Sequence, residues 1–121
     1  MNNYKELIVW KKSIDFAVEI YELLKGFPKT EMWGLCSQLQ RSSSSIAANI
    51  AEGAGRNSNK EFVHFLSIAL GSLYETDTFL TVAQKIGYIT EAKFESLSQS
   101  IVEMDKMIKG LQKSKQETSR D

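Results

Sequence analysis

His64 and Cys36 are the single histidine and the single cysteine in 121 residues. Catalytic triads, zinc sites and paired-histidine metal sites therefore lack the side chains they require. Glu61-Phe62-Val63-His64 has the Glu-x-x-His spacing with which di-iron bundles set a carboxylate and an imidazole on one helix face. Such a site needs a second copy of the motif and two further Glu, and here no second His exists. His64 is thus read as a solvated or interface side chain, and no metal or cofactor is expected. Cys36, next to Leu35 near an apolar face, is read as a buried structural thiol. A carboxylate-only mechanism around Glu52, Glu75 and Asp77 is the one enzymatic route left, and their spacing does not call for it. The chain is not expected to be an enzyme.

Anion chemistry has more to start from. Gly53-Ala54-Gly55-Arg56-Asn57-Ser58 leads into a helix start, where free backbone amides and the helix dipole attract negative charge, and Arg56 and Lys60 flank that start. As a nucleotide signature the loop is weak, because no strand precedes it and no Gly-Lys-Ser or Gly-Lys-Thr follows. A contact to a nucleic-acid phosphate and a solvated interhelix turn both fit these residues. Lys11-Lys12 beside Trp10 forms a second small basic site, and the competing view is Trp10 in the core with both lysines in solvent.

Fifteen Lys and Arg balance fifteen Asp and Glu. No global positive field exists to gather polyanions or anionic membrane, so any such binding must be local. The composition, 42% hydrophobic and 25% charged with one Pro, is that of a globular protein and excludes collagen-like or disordered material. A lone Cys forms no intrachain disulfide, no run reaches the ~20 apolar residues of a membrane span, and the charged start MNNYKELIVWKKS does not read as a signal peptide. A cytoplasmic location is expected.

The elements that must carry these residues are all helical. Apolar residues recur at spacings of three and four throughout, which predicts helices over about 5–25, 31–52, 59–86 and 91–112, followed by a polar, frayed tail 113–121 in a single domain 1–121. In the first helix Leu7, Trp10, Ile14, Ala17, Tyr21 and Leu24 form one stripe, with Val9, Phe16, Ile20 and Leu23 beside it. That arc is wider than one bundle face needs and marks an interface candidate. Thr30 is the expected N-cap of the second helix, whose small residues Ser42 to Ser45, Ala47, Ala48 and Ala51 suit a groove for a neighbouring helix or a contact between subunits. Ser58 and Glu61 have capping-box spacing, with each side chain placed to bond the other's amide. Gly87 is a C-cap, and Ile89 with Phe94 forms a hydrophobic staple around Thr90. Short connections favour an antiparallel up-down-up-down four-helix bundle.

The order of these features resembles a known family. Leu7 and Trp10, Phe27-Pro28, Glu31, Gly34-Leu35, Ser37-Gln38, Arg41-Ser42 and Ser45-Ile46 lead to Asn49-Ile50-Ala51-Glu52-Gly53 and Gly55-Arg56 with Ser58. Lys60-Glu61-Phe62, Phe65-Leu66, Ile68-Ala69, Gly71-Ser72-Leu73, Glu75 and Gly87-Tyr88-Ile89 complete a pattern similar to the bacterial four-helix bundles named for 23S rRNA intervening sequences. The name records a gene location. The resemblance implies a small cytoplasmic bundle with no established enzymatic activity. A related branch, the accessory variability proteins of diversity-generating retroelements, has a similar fold, forms a pentameric barrel and engages nucleic acid and a reverse transcriptase. By analogy the chain is expected to form a homopentameric ring, a use for the second apolar stripe of the first helix and the small face of the second helix.

This sequence departs from the family pattern at Gln40-Arg41, where two Arg are common, and at Ala48, where Pro is common. One basic position is thereby missing, which weakens any counterion-release contribution. Two functions compete. One is RNA or other nucleic-acid binding through Arg41, Arg56 and Lys60, with Asn49 and Ser58 as hydrogen-bonding support. The other is a protein-interaction scaffold without nucleic acid, in which Arg41 and Glu52 pair within or between subunits and Asn49 satisfies buried backbone groups. Trp10, Glu52, Gly53, Gly71 and Ser72 are assigned structural or interface roles.

Overall fold

A computed structural model describes residues 3–119. Among them are four α-helices, α1 (Ile8–Leu24), α2 (Leu35–Ala54), α3 (Asn59–Lys85) and α4 (Glu91–Ser119), with short 3-10 turns at Tyr4–Glu6 and Lys29–Glu31 and no strand. All four contribute to one apolar core. Phe16 and Ile20 meet Leu39, Ile46 and Ile50 of α2, Phe62, Leu66, Leu73 and Leu80 of α3, and Leu97, Met104 and Ile108 of α4. α2 packs most extensively on α3, α3 on α4, and α1 lies against α2 with a slimmer contact to α4.

The helix ends follow from local chemistry, with three departures from expectation, two in boundaries and one in a cap's hydrogen bonding. The second helix begins at Leu35 rather than near residue 31, and Thr30 is not its cap, because Pro28 opens a separate 3-10 turn in which Thr30 is absorbed. Glu31 caps the helix instead. Its Oε1 accepts from the Leu35 amide at 3.3 Å, satisfying one of the helix's free donors. Ser58 does cap α3, accepting from the Glu61 amide at 3.1 Å. The return bond differs from the expected box, since Glu61 Oε2 accepts from the Ser58 hydroxyl at 3.3 Å.

At the far end of α3, Gly87 takes φ 90°, a left-handed conformation that L side chains rarely adopt, and the Tyr88 amide reaches back to the Ala83 carbonyl at 2.9 Å. Thr90 then caps α4, its Oγ1 accepting from the Lys93 amide at 3.2 Å.

The third departure is at the C-terminus, where the helix does not stop at residue 112 but continues to Ser119. The Gln112 side chain donates to the Val63 carbonyl at 3.2 Å and to Ser67 Oγ at 2.9 Å, and the Lys115 ammonium lies 5.7 Å above the Phe62 ring. Polar side chains thus hold the last turns against the start of α3, which the fading apolar pattern conceals. Residues 120–121 of the expected tail lie outside the described residues.

In α1 the two stripes have unequal fates. Val9, Phe16 and Ile20 of the narrower stripe are core, as are Ala17 and Leu24 of the other, while Ile14 and Tyr21 are exposed together with Val18. The excess apolar surface is real, and it comes from Ile14 and Tyr21 of the first stripe with Ile8 and Val18, which lie in neither, rather than from the second stripe expected to serve it.

Candidate functional site

The corner between α2 and α3 is built on a close approach of two helices. A Cβ on Gly53 would lie 2.7 Å from the Phe65 Cβ and 2.9 Å from a Phe62 ring carbon, so only glycine lets the end of α2 sit this near α3. The chain turns through Gly55, Arg56 and Asn57 to Ser58. Here the Arg56 guanidinium bonds Glu52 Oε1 at 3.1 Å and lies 4.7 Å over the Phe65 ring. The His64 ring meets Phe65 edge-on at 5.8 Å between centroids. A cleft of about 550 Å³ opens at this corner, lined by Tyr4, Ala48, Ala51, Glu52, Gly55, Arg56, Asn57 and Glu61. Arg56 lines this cleft, and Ser58 and Lys60 follow it within four residues at the start of α3. Arg56 is matched by Glu52, Ser58 is engaged in its cap, and Lys60 is exposed with no ion pair to a described residue.

Arg41 is not part of this corner. It lies fifteen positions before Arg56, roughly 22 Å along a helix axis at 1.5 Å per residue. Its guanidinium bonds Gln38 Oε1 at 2.7 Å and Glu75 Oε2 at 3.2 Å, and so links α2 to α3. The expected Arg41–Glu52 pair does not form within the chain, because each has a nearer partner one helical turn or one helix away. Asn49 donates to the Ser45 carbonyl at 2.8 Å, one turn back on its own helix.

Of the small residues of α2, Ser42 serves the α2–α3 seam, whereas Ser44 and Ala48 are exposed. Ser42 and Ser43 are buried, and Thr76 Oγ1 lies 2.8 Å from both Ser42 Oγ and the Ser72 carbonyl oxygen. Trp10 is half-buried and meets Tyr4 edge-on at 5.3 Å, and beside it Lys12 pairs with Glu103 of α4 at 2.5 Å. Gly71 is different: it is exposed on α3 and a Cβ there would meet nothing within 4 Å. Cys36 is half-buried rather than enclosed, and partial burial, with the Glu31 carboxylate adding to it, holds its thiol pKa above the ordinary value.

Three features escaped the sequence reading. Trp33, just before α2, is 88% exposed, although a lone tryptophan in an apolar stretch looks like core. Tyr88 donates to Glu31 Oε2 at 3.0 Å, a bond that raises the tyrosine pKa and ties the α3–α4 turn to the start of α2. Tyr74 donates to Asp105 Oδ1 at 2.5 Å, and Lys109 bonds the other carboxylate oxygen at 3.2 Å. This trio straps α3 to α4. The Tyr74 bond holds Asp105 below the ordinary carboxylate range, and the Asp105 bond holds Tyr74 above the ordinary tyrosine value. No group of three His, Cys, Asp or Glu that could hold a metal ion occurs among the described residues.

Taken together, these features define an all-helical protein with one core, whose polar residues are largely engaged in capping and strapping its own helices while apolar side chains stand on its outer faces. The chain belongs to the family of 23S rRNA-intervening sequence proteins, whose model matches residues 5–110. It is similar to a crystal structure from Bacteroides thetaiotaomicron VPI-5482, described as a protein with unknown function from the S23 ribosomal protein family. The two are 32% identical with a TM-score of 0.78, over 88% of this chain and 99% of that one. No curated protein matches the chain significantly. No helix among the described residues is long and apolar enough to cross a membrane.

Proposed function

We propose that this is a cytoplasmic, non-enzymatic, up-down-up-down bundle that works by assembling with copies of itself, in a ring of five as the family resemblance implies. The observation that carries assembly is the outer face of α1. Ile14, Val18 and Tyr21 lie at i, i+4 and i+7, so they share one face, and Val18 is 57% exposed. Exposed Ser44 of α2 adjoins them, with Tyr21 Oη 3.4 Å from Ser44 Oγ. A ring needs a second, different patch. The outer face of α3 offers one in Ile68, Gly71 and Val82, where a helix-interior glycine with open space above it gains nothing from its own chain. Opposed pairings support the alternating topology: Gly53 meets Phe62 and Phe65 while Arg41 meets Glu75, and Gln112 meets Val63 while Asp105 meets Tyr74.

Light scattering of the purified protein tests this directly. A mass near five chains, reduced in an Ile14→Ser/Val18→Ser/Tyr21→Ser variant with unchanged helicity, is the expected result, and a wild-type monomer at micromolar concentration removes the proposal. A second reading, nucleic-acid binding, is favoured by the gathering of Arg56, Ser58 and Lys60 at one corner, with Lys60 unmatched by any acid among the described residues. It is tested by anisotropy of a labelled RNA titrated with the protein.

A further inference from the structure

The neutral chain is polarised along its length. The start of α1, the corner between α2 and α3, and the end of α4 lie together: Tyr4 lines the cleft with Arg56, and Lys115 sits over Phe62. Residues 3–13, 49–71 and 104–119, which make up this half, hold nine Lys and Arg against five Asp and Glu. Residues 14–48 and 72–103, the other half, hold five against nine. Equal totals thus conceal an excess of four positive charges at one end and four negative at the other.

We propose that the basic end is a docking surface for the phosphodiester backbone of a nucleic acid, with Lys60, Lys106 and Lys113 as its principal contacts and Arg41 outside it. The placement rests on the nucleic-acid reading above and says where on the molecule that reading operates. All three lysines are exposed and none is in an ion pair with a described residue, whereas Lys12, Arg41, Lys93 and Lys109 are each matched by an acid. Lys106 and Lys113 stand two turns apart on one face of α4, about 10 Å along the axis, and Lys60 lies one residue into α3 at the same end. Long cations on an open surface suit a flexible polyanion, which needs matching charge rather than a shaped pocket. The acidic opposite end repels the same ligand and orients it.

The experiment is anisotropy of a fluorescent single-stranded RNA 20-mer with the full chain, from low to physiological salt, against Lys60→Ala/Lys106→Ala/Lys113→Ala and, separately, Arg41→Ala. The expected result is salt-sensitive wild-type binding, weakened at least about tenfold at low salt in the triple variant, with the log–log salt slope reduced by about 2 at ~0.7 per lost contact. Arg41→Ala is expected to bind as wild type. Unchanged binding by a folded triple variant, or loss in Arg41→Ala alone, overturns the placement while leaving the nucleic-acid reading standing. No binding by the wild type overturns both. Displacement of the RNA by poly-glutamate at equal charge also overturns the proposal, because the surface then suits an acidic protein equally.

Discussion

The α2–α3 seam and the outer face of α1 use opposite residues for the reverse of their usual roles. In the seam, contact is made by Gly53, Ser42 and Thr76, small or polar residues sealed from water. On α1, Ile14, Val18 and Tyr21 are large and apolar yet face outward. Small side chains let two backbones approach, and the hydroxyls they bring are satisfied locally, so burial costs little. The apolar residues left outside keep much of their surface in water, although Tyr21 also reaches Ser44. Ser42 and Ser43 of the serine-rich stretch are therefore structural, and the outer face of α1 is the surface on which the assembly proposal rests.

Substitutions should separate the two regions by size of effect. Gly53→Leu drives a side chain into Phe65 and Phe62 and is expected to destabilise by about 3 kcal/mol, read by urea denaturation. Thr76→Val leaves buried Ser42 without its partner and should cost about 1.5 kcal/mol in the same assay. A Ser42→Ala/Thr76→Val double variant should recover part of that.

Tyr74→Phe tests whether the α3–α4 strap behaves like the seam, with an expected loss of about 1 kcal/mol at neutral pH. Because the folded-state pKa of Asp105 is depressed, its contribution is present above the ordinary carboxylate pKa of ~4 and lost as pH falls through the folded value. Tyr74 is raised, so its contribution is present below ~10 and lost as pH rises through the folded value. Wild type and Tyr74→Phe should therefore converge in stability at both extremes; a difference independent of pH would contradict the bond.

Gly71→Ala is expected to stabilise the subunit by up to about 1 kcal/mol, since nothing in the chain crowds that site, and to lower the assembled mass if a neighbour packs there. Taken singly, the three α1 substitutions should change subunit stability least, by about 0.5 kcal/mol or less each, while the solution mass of the triple variant falls. Loss of fold instead of mass would mean that the α1 face serves its own chain.

Much of this molecule was legible as text. The periodicity of Phe62, Leu66, Leu73 and Leu80, the Ser58 cap and the Gly87 turn are local devices, and local devices act through neighbours within a few residues, which a sequence displays. The candidate corner was legible in part: Arg56, Ser58 and Lys60 are close in sequence and remain close in space, whereas Arg41, expected with them, lies with Glu75 instead.

What only the tertiary structure decided involves partners far apart in the chain. Gln112 and Lys115 extend α4 because α3 passes beside it, Glu31 rather than Thr30 caps α2, and Tyr88 reaches Glu31 across fifty-seven residues. The charge balance illustrates the same division. Composition fixes the net charge at zero, since a sum ignores position. Packing separates the signs, because it brings the start of α1, the α2–α3 corner and the end of α4 to one side, and the field a ligand meets depends on where charges stand rather than on their total.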